Sequence, residues 1–310
     1  MIGVDWGTSS LRAYRMTEAG QIIARASVPS GILQVAAGDF PNVLRNIVGD
    51  WLADGETKII LSGMVGSRQG WVEAPYLPCP ADPAAIGAAL TRIPFDGADV
   101  LLVPGLSDRD EAGTPEVMRG EETQIIGALD ALGGSGLVCL PGSHSKWAHI
   151  QGGRIAGFRT YFSGEAFAAL RDGTILGRMM DDAPHDVVAF TRGVTRSSDG
   201  GHLLHQLFGV RSLALFGELG AAQTASYLSG LLIGHEIHAA LRSDSKVTVH
   251  LIGASALCGL YAEAIALCGG QSILIDEDAA ARGLARIGQR GMLHERSDRL
   301  PAGSTRQPAG

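Results

Sequence analysis

The stretch IGVDWGTSSLR (residues 2–12) decides the fold. A short apolar run, Ile2-Gly3-Val4, leads into Asp5. The chain then turns through Gly7, Thr8, Ser9 and Ser10 and leaves through Leu11, Arg12, Ala13 and Tyr14. This pattern predicts two strands joined by a tight polar turn. Gly7 has no Cβ, so the backbone there can approach a ligand closely. Thr8, Ser9 and Ser10 add hydroxyls and consecutive N–H donors, a concave cluster of the kind that cradles phosphate. Asp5 at the strand end suits Mg2+, which takes one or two carboxylates and completes its shell with phosphate oxygens and water. A plain β-hairpin with a polar turn would read the same way, so the rest of the chain has to decide.

The 310 residues are 45% hydrophobic and 18% charged, which suits two folded domains and argues against disorder. A net charge of −7 argues against a nucleic-acid groove. The longest apolar run, residues 228–233, is too short to span a bilayer. Cys79, Cys139, Cys258 and Cys268 form no C-x-x-C pair. With no signal-like segment at Met1, they read as reduced thiols of a cytoplasmic protein.

Along the chain, residues 2–5, 11–16 and 21–28 predict a three-stranded meander with a turn at 18–20. A helix over 40–52, a strand over 58–61, a helix over 82–90 and a strand over 99–103 follow. The polar segment 107–115 is a candidate domain crossing. A helix starting at Glu121 precedes a restart: a strand over 136–140, a polar turn, and strands over 146–150 and 154–160. Helices then dominate to 241, with strands over 248–252 and 272–275. The residues from about 297 are Pro, Gly, Ser and Arg and read as a disordered tail.

The restart carries chemistry too. In PGSHSKW (141–147), Gly142 and Ser143 suit contact with phosphate oxygens, and Lys146 adds a compact positive charge. His144 is either a structural turn residue or a proton shuttle, and Trp147 either packs or walls a ligand site. In VMRGEETQ (117–124), Glu121 and Glu122 open a helix, where acids complement the helix dipole whatever else they do. Gly253, Ala254 and Ser255 form a strand-to-helix turn that is common to many α/β proteins. A dinucleotide dehydrogenase is a further possibility, but no G-x-G-x-x-G follows the first strand and no acid stands about 20 residues on in the right context, which argues against it.

The strand–turn–strand opening, echoed in the second half, resembles the sugar kinase, hexokinase and actin-like ATPase superfamily. The set DWGTSSLRAY, GMVGSRQGW with APYLPCPA, VMRGEETQ, PGSHSKW, FRTYFSGE and LSGLLIG narrows this and resembles the 2-dehydro-3-deoxygalactonokinase family. The resemblance implies an α/β protein of two actin-like (ribonuclease H-like) domains with a nucleotide cleft between them. The expected domains span 1–115 and 116–295, with a tail over 296–310. It implies ATP-dependent phosphorylation of the C6 hydroxyl of 2-dehydro-3-deoxy-D-galactonate, with ATP and Mg2+ bound. Another sugar kinase, or a non-catalytic ATP-binding sensor of this fold, is the alternative.

On this resemblance Asp5 holds the metal. Gly7, Thr8, Ser9, Ser10, Arg12, Gly142, Ser143, His144 and Lys146 serve the phosphates, and Gly253, Ala254 and Ser255 the nucleoside. A catalytic carboxylate is expected at the helix start before the second phosphate turn, where Glu121 stands and Glu122 is its rival. The substrate carboxylate calls for a guanidinium, for which Arg119 and Arg68 are candidates, with Trp147 nearby. The expected partners are the sugar acid and ATP, with no nucleic acid and no membrane; a homodimer stays open.

Overall fold

The computed structural model describes residues 1–17, 19–241, 247–276 and 278–298. Strands β1 (Ile2–Trp6), β2 (Leu11–Met16) and β3 (Ile22–Val28) form the expected meander. Then come α1 (Phe40–Ala53), β4 (Lys58–Ser62), β5 (Tyr76–Pro78), α2 (Pro83–Ala88), β6 (Thr91–Ile93) and β7 (Asp99–Leu102). β8 (Gly105–Arg109), β9 (Pro115–Met118) and α3 (Glu121–Ala128) follow. The second half opens with β10 (Gly136–Leu140), β11 (Ser145–Gln151) and β12 (Arg154–Tyr161). Helices α4 (Ser163–Gly173), α5 (Val187–Ser198), α6 (Leu203–Leu215) and α7 (Ala221–Ala240) come next. The described chain ends with β13 (Thr248–Leu251), α8 (Ser255–Leu267), β14 (Gln271–Leu274) and α9 (Ala279–Asp298). In the expected turn at 18–20, residue 18 lies outside the described residues. The expected tail lies outside them from residue 299 onward, since α9 continues through Asp298.

The chain folds into two compact units. One holds Met1–Ser107, Val117–Ala128 and the described residues from Asp278 onward; the other holds Asp108–Glu116 and the described residues of Leu129–Glu277. This division differs from a single cut after residue 115, because α3 and α9 pack with each other inside the first unit. Two glycines permit that contact. A Cβ added to Gly127 would lie 1.8 Å from the Ala279 carbonyl oxygen, and one on Gly283 would lie 1.8 Å from that of Thr123. Gly283→Ala is therefore expected to cost about 1–3 kcal/mol by overpacking. Gly49→Ala, at an open position of α1 with nothing within 4 Å, should be neutral or stabilising. Urea midpoints of the two variants check this pair.

The first unit is built on a six-stranded sheet, β3-β2-β1-β4-β7-β6. β1 runs antiparallel to β2 and parallel to β4, so its end, with Asp5, emerges beside the end of β4 with Ser62. All five residues of β1 are buried, as expected for a central strand covered on both faces. The second unit repeats the order over five strands, β12-β11-β10-β13-β14, with β10 antiparallel to β11 and parallel to β13. The echo read in the sequence is thus an echo in topology. The polar segment 107–115 is not a plain linker. It contains the end of β8 and a turn closed by Asp110, whose Oδ1 accepts from the N–H groups of Ala112 and Thr114 at 2.9 and 2.7 Å. Among the described residues, no helix is long and apolar enough to cross a membrane.

Candidate active site

In the first unit, the turn after β1 is closed by a hydrogen bond from Gly7 N–H to the Ser10 carbonyl at 2.9 Å, leaving Thr8 and Ser9 exposed. A segment that carried no signal in the sequence braces the turn from below. Gly31 lies so close that an added Cβ would come within 2.2 Å of the Thr8 carbonyl oxygen, and Ile32 N–H donates to the Gly7 carbonyl at 3.0 Å. Asp5 is buried at the strand end, and its Oδ2 accepts from the Arg12 guanidinium at 2.9 Å. Burial raises its carboxyl above the ordinary range, and Arg12 pulls it partly back. Arg12 therefore acts through Asp5 and has that carboxylate as its partner. Among the described residues no three His, Cys, Asp or Glu side chains gather as a metal cage. A lone carboxylate beside a phosphate-type turn still fits Mg2+, an ion that prefers phosphate oxygens and water to an all-protein shell.

Next to Asp5 the chain builds a second feature. Gly63, with φ of 96°, ends β4; a Cβ there would meet the Trp6 carbonyl oxygen at 2.7 Å and Asp5 Oδ1 at 3.3 Å. Gly120, at the start of α3, packs directly on Gly63. The loop from Met64 folds back on itself through Trp71 N–H to the Val65 carbonyl and Ala74 N–H to the Gly66 carbonyl. Arg119 lies in this fold, only 7% exposed. Its Nη2 donates to the Ala74 carbonyl at 2.8 Å, and its guanidinium stacks 4.4 Å from the Tyr76 ring centre. Its Nε and Nη1 have no hydrogen-bond partner. Ser62 Oγ and Ser67 Oγ, buried in the same neighbourhood, are also unpartnered. Buried polar atoms are rarely left so, and four of them, from Arg119, Ser62 and Ser67, are concentrated here. Arg68, the other candidate, has a side chain 86% exposed that faces Glu73.

The two acids at the start of α3 separate cleanly. Glu121 is half-buried and its Oε2 accepts from the Arg119 backbone N–H at 2.9 Å. Glu122 is fully buried, accepting from Gly120 N–H at 2.7 Å and from the Thr123 hydroxyl at 2.9 Å. Burial, then the neighbouring Glu121 charge, push its carboxyl up to about 7. A raised folded-state pKa means that the native protein holds this proton longer than the unfolded chain does. The stabilisation is full below about 4.5 and is lost as pH rises through about 7, worth at most about 3 kcal/mol. Glu122→Gln should therefore be more stable than the parent at pH 8, with the gap closing towards pH 5. Urea unfolding at both values reads the difference.

In the second unit, the turn between β10 and β11 exposes Ser143 and His144. The start of α4 clasps it: Glu165 N–H donates to the Ser143 carbonyl at 3.0 Å, and a Cβ on Gly164 would lie 2.3 Å from the Gly142 carbonyl oxygen. His144 is paired with Glu165 and stacked on Phe162, a turn-stabilising arrangement. A pocket of about 780 Å³ opens beside this turn. Gly142, Ser143 and Ser163 form its polar end, and Phe167, Ile233 and Leu257 part of its apolar wall. Gly253, with φ of 146°, sits beside Pro141, and Ala254 and Ser255 are exposed at the start of α8. From that helix the pocket wall is formed further on, by Leu257, Leu260 and Tyr261.

Two expectations need correction. Trp147 is 2% exposed, packed in the core of the second unit with its Nε1 donating to Glu236 at 2.7 Å, so it cannot wall a substrate site. Lys146 is a buried residue of β11 whose Nζ donates to Thr160 Oγ1 at 3.0 Å across the strand pair, not a free charge of the turn. Both follow from β11 being buried on both faces near its start, where Ser145–Ala148 are all covered. The residues missed were Ser62, Ser67 and Tyr76 around Arg119, and Glu236 and Tyr261 under the second turn.

The family described as 2-keto-3-deoxy-galactonokinase matches residues 5–287. A Rhizobium meliloti (strain 1021) protein named a probable 2-dehydro-3-deoxygalactonokinase is 39% identical over 90% of this chain and 93% of its own length. The Escherichia coli (strain K12) 2-dehydro-3-deoxygalactonokinase is 33% identical over 90% and 94%. A crystal structure from Sinorhizobium meliloti, assigned as a 2-dehydro-3-deoxygalactonokinase, superposes with a TM-score of 0.86 at 38% identity, covering 94% of this chain and 98% of its own. The chain belongs to the 2-keto-3-deoxy-galactonokinase family, and its two-unit α/β fold is that of the Sinorhizobium meliloti structure.

Proposed function

We propose that this chain transfers the γ-phosphoryl group of ATP to the C6 hydroxyl of 2-dehydro-3-deoxy-D-galactonate. The observation that carries the reading is Arg119, a buried guanidinium with two unpartnered donor nitrogens, two residues before a half-buried carboxylate. A carboxylate on the substrate would accept charge-assisted hydrogen bonds from Arg119, an ionic contact that a neutral hexose cannot make. The unpartnered hydroxyls of Ser62 and Ser67 would meet hydroxyls of the sugar chain; like the unpartnered nitrogens of Arg119 they are closed from solvent, so the loop over 64–74 has to open to admit the substrate.

Glu121 is the group that accepts the proton from the C6 hydroxyl as its oxygen bonds to the γ-phosphorus and the bond to the ADP oxygen breaks. Its partial exposure supports this role, and the enclosure of Glu122 supports a supporting one. The turns 7–10 and 142–143 offer N–H and hydroxyl donors to phosphoryl oxygens, and the pocket beside Gly142 has room for the nucleoside. Asp5 would hold Mg2+, which neutralises charge on the phosphate oxygens when bound.

The test is a phosphorylation assay with ATP and Mg2+ across the keto-deoxy acid, its C4 epimer and glucose. The epimer inverts one hydroxyl and leaves buried partners unpaired, so discrimination of about 10- to 100-fold is expected, with glucose inert. Equal use of glucose would remove the carboxylate argument. Nucleotide binding without turnover of any acceptor would favour a sensor of the same fold.

A further inference from the structure

Beneath the second turn lies a carboxylate that the reaction itself does not use. Glu236 of α7 is 2% exposed. Its Oε1 accepts from Trp147 Nε1 at 2.7 Å and its Oε2 from the Tyr261 hydroxyl at 2.8 Å. Tyr261 shares a further hydrogen bond of 2.8 Å with Ser145 Oγ, and the hydroxyls of Ser163 and Ser145 also reach the carboxylate. Burial drives this carboxyl above its ordinary range, and the hydrogen bonds from Ser163, Trp147, Tyr261 and Ser145 pull it back. An acid placed in a core is costly unless its oxygens are fully satisfied, and this one is met from β11, α4 and α8 at once.

The same elements build the pocket. Ser163 and Tyr261 line it, Leu232 and Ile233 line it from the turn of α7 preceding Glu236, and Ser145 stands two residues beyond Ser143. An apolar core would hold these helices together equally well. What the hydrogen-bonded chain adds is direction, since each hydroxyl has one set orientation only if its neighbour does.

We propose that Glu236 is a positioning residue: through Tyr261 and Ser145 it fixes the 142–145 turn and the start of α4 in the arrangement that receives the nucleotide phosphates. This rests on the nucleotide reading of the pocket. The role is separable from packing, because Tyr261→Phe and Ser145→Ala each remove a single oxygen and leave the core filled.

Calorimetric titration with ADP and Mg2+ tests it on the full chain. Tyr261→Phe and Ser145→Ala should each weaken ADP binding about 5- to 20-fold, and the double variant by less than the product of the two, since both hydroxyls belong to one hydrogen-bonded network. Glu236→Gln should fall between these and the parent, as its carbonyl still accepts from Trp147. The KM for the sugar acid, bound in the first unit, should move less than twofold. Should Glu236→Gln fail to fold, the Tyr261 and Ser145 variants decide alone. Lower melting temperatures with unchanged ADP affinity, or additive losses in the double variant, would overturn the proposal and leave Glu236 a core residue only. A parent protein that binds no ADP would overturn the nucleotide reading with it.

Discussion

Arg119→Met should raise the KM for the keto-deoxy acid by about 10²- to 10³-fold while leaving the unliganded protein as stable as the parent or more so. The two halves of this expectation come from one fact. Arg119 is buried with a single hydrogen bond, to the Ala74 carbonyl, and a stacking contact with Tyr76. Its Nε and Nη1 have no partner, and no salt bridge compensates its charge in the described structure. Methionine fills nearly the same volume and removes a desolvated charge, so the empty protein loses little. The substrate loses two charge-assisted hydrogen bonds, which at about 1.5–2 kcal/mol each, the lower part of the usual range, set the size of the KM effect. Arg119→Lys should recover only part of it, because an ammonium group cannot present a planar fork and would sit without the Tyr76 stack. Arg68→Ala, in an exposed side chain, should change KM less than threefold. Steady-state kinetics and the thermal shift on adding the sugar acid measure both halves. A large loss of stability with normal KM would show that Arg119 is a structural residue and that the carboxylate is held elsewhere.

The fold was legible where the signal is local. Strands β1, β2 and β10, helix α1 and the start of α3 lie within a residue or two of their expected bounds, because alternation, glycine turns and apolar spacing act over a few residues. The hairpin within 105–118 was hidden by its polarity, since Asp110 satisfies its own turn with a side chain that reads as linker. The membership of α3 and α9 in the first unit was not legible. It depends on Gly127 meeting Ala279 and Gly283 meeting Thr123, contacts between segments about 150 residues apart that leave no periodicity in either.

Among the candidate residues, Asp5, Gly7, Gly142 and Arg119 stand in the local settings read from the sequence, because each sits at a strand end, turn or helix start whose signal is short-ranged. Trp147 and Lys146 misled for the opposite reason: their sequence neighbours are a phosphate-type turn, but the strand has already entered the core by Ser145. Glu236 did leave a trace. It is an isolated acid in a helix apolar on nearly every side, from Leu228 to Ile237, and such an acid must find partners when the helix is buried.

Glu121→Gln should lower kcat by about 10²-fold or more with the KM values for both substrates changed little. Glutamine keeps the volume and can still accept from the Arg119 backbone N–H, so the helix start and the neighbouring guanidinium stay in place. What it loses is the capacity to take the proton of the attacking hydroxyl, a contribution of about 10²- to 10⁴-fold that appears only in the transition state and hence in kcat. Glu122→Gln should behave in the opposite way. Its oxygens are engaged by Gly120 N–H and the Thr123 hydroxyl, no part of it reaches solvent, and its carboxyl stands at about 7. A residue so enclosed shapes the helix start; a hydroxyl of a bound sugar could meet it only if α3 opened. Turnover in this variant should stay within about threefold of the parent. The pH profile adds an independent reading. Were Glu122 the base, its deprotonation would be required for turnover, and kcat would rise with pH through about 7 and lose that limb in Glu122→Gln. With Glu121 as the base, the pH profile of kcat is the same in Glu122→Gln as in the parent, and only the stability difference between the Glu122 forms remains. A 10²-fold fall in Glu122→Gln together with a mild Glu121→Gln would move the base one residue along the helix and require α3 to turn its buried face to the substrate.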